Sequence, residues 1–286
     1  LIKLTFKLNK NLLEIIKMSE EDDDKIGELF EKIKNLSKTE YYQITINPNI
    51  VPEIYDSKLG GLPYWTPDLQ YPLNSEGKKL ILLAQINFDK ENVDSPLPKQ
   101  GILQFFITDD DLMGINFDDQ TKQNNFRVIY HEKVDYNITK DSIKHYNIPN
   151  CIEKDVQCFP ISKEYKISLI KNIDYISTHD FHFDEIFAKA YKEVYNKALK
   201  PEDTFNKILD DEELEKLEEK LENDLPRHKM LGYSFFTQED PRYNKEYKDY
   251  DTLLFQIDSE GEYILWGDVG VGNFFIPKKS LLKKDF

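Results

Sequence analysis

Lys58-Leu59-Gly60-Gly61-Leu62-Pro63-Tyr64-Trp65-Thr66 aligns without a gap on Lys229-Met230-Leu231-Gly232-Tyr233-Ser234-Phe235-Phe236-Thr237, an offset of 171 residues (Lys58 to Lys229). The same offset carries Leu82-Leu83-Ala84-Gln85-Ile86-Asn87 onto Leu253-Leu254-Phe255-Gln256-Ile257-Asp258. Two residues of slippage bring Gly101-Ile102-Leu103-Gln104-Phe105-Phe106-Ile107 onto Gly270-Val271-Gly272-Asn273-Phe274-Phe275-Ile276. Three blocks in one order read as an internal duplication. Each copy pairs a Leu-Leu-x-Gln-Ile strand with a later aromatic strand ending Phe-Phe-Ile. Half the apolar surface of such a unit stays uncovered, so two copies are expected to pack about a pseudo-two-fold axis.

Outward from these blocks, Asn11 to Lys38 has helical spacing, with Ile26, Leu29, Phe30, Ile33 and Leu36 at three- and four-residue steps. Ser19 and the acids from Glu20 to Asp24 suit a helix start. Strands are expected at Tyr41 to Ile46, Leu80 to Phe88, Gly101 to Thr108, Phe126 to His131 and Tyr165 to Ile170. Phe181 to Leu225 reads as helical, broken near Pro201, and its leucine stripe predicts a helix lying on the sheet. Strand patterns return at Tyr233 to Thr237, Thr252 to Asp258, Glu262 to Gly267 and Gly272 to Ile276. The expectation is an α+β fold with mostly antiparallel sheets, since β-α-β alternation is missing. It is read as a single domain over 1–286, with halves at about 41–135 and 227–286 and a helical insertion at about 180–225.

Composition narrows the function classes. At 286 residues, 40 % hydrophobic and 13 % aromatic, the chain can bury a core and does not read as disordered. Acidic residues outnumber basic ones 53 to 38, a net charge of −15 that repels phosphate backbones, so no nucleic acid partner is expected. No apolar stretch long enough to span a bilayer and no signal-peptide pattern is present, so no membrane association is expected. Cys151 and Cys158 read as reduced thiols, and the expected location is cytoplasmic.

The duplicated blocks, with Trp266-Gly267-Asp268-Val269-Gly270-Val271 and Thr237-Gln238-Glu239-Asp240, resemble the YwqG-like family (domain of unknown function 1963) from about Tyr41 to Phe286. Two features depart from it. Ser234 stands where relatives usually have proline, and similar proteins usually continue past the position of Phe286 into another strand-like stretch. The resemblance implies a cytoplasmic bacterial-type α+β protein with no established activity. Because some members are encoded beside polymorphic toxin systems, it also implies an immunity-type or partner-binding role.

Several groups carry candidate chemistry. Gln85 and Gln256 sit at equivalent places inside apolar strands, where a buried amide needs partners: either a ligand or a neighbouring loop backbone. Asp268 precedes a Gly-Val-Gly turn that matches no phosphate-binding spacing, so it is a ligand or base, or it caps the turn. His179, His182 and Glu185 crowd together but lack a zinc spacing, and the acids at 109–111 and 118–119 lack the alternation of a calcium loop. Neither metal nor cofactor is expected, and no nucleophilic triad is marked.

Two functions remain open. One is a non-catalytic module that binds a protein partner through an acidic surface. The other is an enzyme or small-ligand binder with a site between the halves, drawing on Gln85, Gln238, Asp240, Gln256, Asp258 and Asp268, with Trp266 or Trp65 as an apolar wall. In such a cleft, carboxylates with separated pKa values would serve as acid and base.

Overall fold

The computed structural model describes residues 25–153, 156, 158–222 and 225–286. The expected helix start at Ser19 and the acids after it lie outside these residues. Contacts divide the chain into two compact units, one containing Glu40–Ile173, Pro226–Gly232 and Phe236–Phe286, the other Leu1–Thr39, Asp174–Leu225 and Tyr233–Phe235. Among the described residues there are five helices and one nine-stranded sheet, and the class is α+β.

The larger unit is built on the sheet: β1 Thr39–Asn47, β2 Lys58–Leu59, β3 Ile81–Asn87, β4 Ile102–Ile107, β5 Phe126–His131, β6 Tyr165–Asp174, β7 Lys229–Leu231, β8 Thr252–Asp258 and β9 Val271–Ile276. Their order is β5-β4-β3-β2-β6-β1-β7-β8-β9. The β2–β3, β3–β4, β4–β5, β2–β6, β1–β7, β7–β8 and β8–β9 pairs are antiparallel.

The two flanks are paired alike. In β3–β4, Ile81 faces Ile107, Leu82 faces Phe106, a bulge follows, and then Ala84 faces Phe105 and Gln85 faces Gln104. In β8–β9, Thr252 faces Ile276, Leu253 faces Phe275, a bulge follows, and then Phe255 faces Phe274 and Gln256 faces Asn273. Lys58 faces Gln85 and Lys229 faces Gln256, both lysines fully buried. Lys58 reaches Glu164 at 2.8 Å, which compensates a buried ammonium whose pKa burial pulls down. After each lysine strand the chain turns through two left-handed residues, Gly60 and Gly61, then Leu231 and Gly232. A side chain at Gly60 would collide with the Lys163 carbonyl and the Cys151 sulfur, so only glycine fits there.

Alternation along the strands makes the core. Leu103, Phe105 and Ile107 of β4 point to one face, and Phe106 points to the other with Trp65, Tyr71, Leu80 and Leu82. On the first face the sheet curls over itself. Phe105 of β4 stacks on Phe255 of β8 at 4.5 Å between ring centroids, and Phe274 of β9 meets Phe105 edge-on at 5.0 Å.

The smaller unit is helical: α1 over residues 25–37, α2 Phe183–Tyr195, α3 Phe205–Ile208 and α4 Asp211–Glu222; a fifth helix, α5 Lys278–Lys283, follows β9 in the larger unit. Asp210 accepts from the Glu212 and Glu213 amides while the Glu213 carboxylate accepts from the Asp210 amide, a reciprocal cap that starts α4. Leu217 and Leu221 of α4 join Ile26, Leu29 and Ile33 of α1 and Phe183 and Phe187 of α2. The leucine stripe thus packs among helices, whereas its spacing alone predicts a helix lying on the sheet.

Two expected strands are loops. At Tyr233 to Thr237 the backbone finds side-chain partners, with the Tyr233 amide donating to Asp174 and the Ser234 hydroxyl to Asp180. At Glu262 to Gly267 a tight turn closes between Glu260 and Ile264, and the Leu265 amide donates to the Pro160 carbonyl. Both stretches are rich in strand formers, but their backbone groups are satisfied outside a continuous ladder.

Candidate functional site

Gln85 lies fully buried in β3. Its Oε1 accepts from the Tyr64 amide and from Gln104 Nε2, each at 2.8 Å, and its Nε2 donates to the Ile54 and Asp56 carbonyls, each at 2.9 Å. Gln104 Nε2 also donates to the Tyr64 carbonyl at 2.7 Å. With both its N–H groups committed, Gln104 offers His131 only its oxygen. His131 Nε2, 2.8 Å away, must therefore carry the proton. The network ties β3, β4 and β5 to the loop that brings in Tyr64 and Trp65.

Burial pushes the His131 pKa down to about 4, against the pull of the Asp68 carboxylate. The ring stays neutral in the folded protein while the unfolded chain binds a proton below about 6.5. The contribution is fully present above pH 6.5 and is lost as pH falls toward 4. Stability of the sheet unit is therefore expected to fall by up to about 1.4 kcal/mol per pH unit across that window. Urea titrations at successive pH values check this, and the slope should shrink in His131→Gln.

Gln256 Nε2 donates to the Arg227 carbonyl at 3.0 Å and the Pro226 carbonyl at 3.4 Å. Asp258 accepts from Arg227 at 2.7 Å and from the Ser259 amide at 2.7 Å. Asp240 caps the short turn Pro241–Tyr243 and pairs with Arg242 at 2.7 Å, whose guanidinium lies over Phe275. Gln238 and Asp268 are exposed. Trp65 is buried beside Tyr71 and Phe106.

Trp266 alone among the predicted ligand residues lines a cavity of the sheet unit, about 370 Å³ in volume. Its ring covers Gly272 and leaves no room for a side chain there. Both flanks build the wall: Phe126 and Val128 from β5, Met113 and Ile115 from the β4–β5 loop, Phe274 from β9, and Gln123 and Asn273 as polar points. Phe126 and Phe274 close on each other at 6.0 Å between centroids.

The β4–β5 loop is shaped by its own acids. Asp110 accepts from the Leu112 and Gly114 amides, and Asp119 accepts from the Thr121 amide. This folding leaves Ile115 on the cavity wall 49 % exposed, and Phe117, two residues further along the loop, 71 % exposed. In the helical unit His179 meets Glu222 at 3.0 Å and His182 meets Asp180 at 2.9 Å. Among the described residues, no three His, Cys, Asp or Glu side chains gather as a metal site would require.

A family model described as "Domain of unknown function (DUF1963)" matches residues 57–286. The chain belongs to the DUF1963 family. The YwqG-like resemblance read from the aligned blocks is this family. No curated protein matches the chain. Every strand from β2 to β9, the cavity and the side chains of Gln85, Gln104 and His131 fall inside the DUF1963 match, while the Ile54 and Asp56 carbonyls of the amide network lie just before it. Among the described residues, no helix is long and apolar enough to cross a membrane.

In this DUF1963 chain the cavity is an apolar wall with a few amides and hydroxyls, a chemistry suited to holding a group by shape. Its one lining guanidinium, Arg242, is already paired with Asp240. Gln104, His131, Gln123 and Asn273 went unread in the sequence. The alternation Phe126-x-Val128 was the available signal for the wall, since it marks one face of β5.

Proposed function

We propose that this chain is a non-catalytic binding protein whose two half-sheets receive an apolar part of a polypeptide partner in the cavity between them. The observation that carries the reading is the pairing of that cavity with the exposed Ile115 on its wall and the exposed Phe117 two residues further along the same loop. Such side chains gain by being covered. The net charge of −15 favours a partner with basic residues near its apolar anchor, and an immunity-type role is one form of this activity. The matched registers and bulges support reading β2–β4 and β7–β9 as copies of one duplicated unit. Free Cys151 and Cys158 fit a reducing compartment such as the cytoplasm.

A small ligand held against Trp266 and Asn273 is the second reading, favoured by a volume within the range of small-molecule sites. Catalysis has less support, because the lining residues offer no paired base and nucleophile.

A photo-crosslinking residue at position 117 tests the proposal, with Val128→Trp as the cavity-filling control. A polypeptide crosslink that is lost in a folded Val128→Trp protein is expected. Equal crosslinking in both proteins contradicts it.

A further inference from the structure

Strands β4 and β9 hold matching places in the two flanks, and one position in them is filled differently. In β4, Leu103 faces Ile86 and is fully buried. The matching residue of β9 is Gly272, which faces Ile257. Gly272 lies in a strand without a left-handed φ, so its backbone would accept a side chain. Space forbids one, because a Cβ there would collide with Cζ2, Cη2 and Cε2 of Trp266. The second flank thus takes from a loop the bulk that Leu103 supplies from within the first. Polar contacts hold Trp266 by its backbone, with its amide donating to Ser259 Oγ at 2.9 Å and its carbonyl accepting from the Gly270 amide at 2.7 Å. The ring is held by apolar contact, and its buried Nε1 meets no hydrogen-bond partner among the described residues. That is an unfavourable state for a donor. The turn that presents the ring is also strained, since Val269 has φ 61°, a left-handed conformation that a β-branched residue resists.

We infer that Trp266 gates the cavity: its indole rests on Gly272 in the closed state and swings off as the partner's apolar anchor enters. This rests on the polypeptide-binding reading above and specifies how the site opens. The ring leaves without breaking a hydrogen bond of its own, and its N–H gains access to water. Gly272 lines the cavity, so the space above it joins the cavity once the ring has gone. The anchor then covers the strand in place of the indole.

Hydrogen exchange of the two indole N–H groups tests the motion without a partner, followed by NMR on the whole protein with Trp266→Phe assigning the signals. Trp65 Nε1 donates to the Leu69 carbonyl at 3.2 Å and is the fixed reference. Gating predicts that the Trp266 N–H exchanges at least about tenfold faster, at a rate that low urea leaves unchanged, as local opening does. One shared rate that climbs with urea marks a wall released only by unfolding and overturns the gate. Gly272→Ala fills the seat and should hold the ring off. In the folded variant, crosslinking from position 117 should rise about threefold or more, because more of the protein is open to the anchor. It should still be lost when Val128→Trp is added. Crosslinking that Gly272→Ala leaves unchanged or lowers, yet Val128→Trp abolishes, keeps the polypeptide reading and rejects the gate. Crosslinking that survives Val128→Trp rejects the polypeptide reading, and the exchange rates then decide the gate by themselves.

Discussion

Replacing Gln85 with leucine is expected to destabilise the sheet unit by about 4 kcal/mol, because four buried groups lose a partner at once. The Tyr64 amide, the Ile54 and Asp56 carbonyls and the Gln104 amide nitrogen all converge on this side chain within 2.9 Å. Leucine fills the volume but returns none of those bonds, and none of these groups can turn to water at a fully buried position. The matching change Gln256→Leu removes bonds to two carbonyls of the 226–227 loop, at 3.0 and 3.4 Å, and these should cost about 1–2 kcal/mol. Urea unfolding followed by fluorescence of Trp65, which is buried in the sheet unit, measures both. Equal costs would show that the first flank's network carries no extra stability.

The second large effect is expected at the aromatic contact between the flanks. Phe105 and Phe255 are fully buried and stack at 4.5 Å with 21° between their planes. Truncating either to alanine removes a ring from a close-packed core and leaves a cavity, at a cost of about 3–5 kcal/mol. The position equivalent to Phe255 in the first flank is Ala84. The second flank thus supplies a ring where the first leaves space, and that asymmetry lets the two flanks interlock. A Phe255→Leu variant, which retains more volume, should cost less than Phe255→Ala in the same urea measurement.

Much of the sheet could be read in advance, for a physical reason. Phe126 to His131 and Thr252 to Asp258 have the bounds read from their runs of strand-forming residues between turns, because aromatic and β-branched side chains pack well on a pleated surface. Tyr233 to Thr237 misled because aromatic residues favour strands on average, whereas here Asp174 and Asp180 capture the backbone and hydroxyl groups of the loop. The burial of Lys58 could not be foreseen, since it depends on Glu164, 106 residues away. The same holds for the site. Trp266 stood out beside its glycines, but the partner of Gln85 is Gln104 on the neighbouring strand, and the cavity wall needs Gln123 and Asn273 from opposite flanks. Such relations are set by strand register and curl, which no local pattern encodes.

The central claim is that the two flanks share one core, and with it the cavity they both line. A double-mutant cycle between Phe105→Ala and Phe255→Ala measures it most directly. The account predicts a coupling of about 0.5–1.5 kcal/mol, the value for a stacked aromatic pair in contact. Additive losses, with no coupling between the two rings, would contradict it.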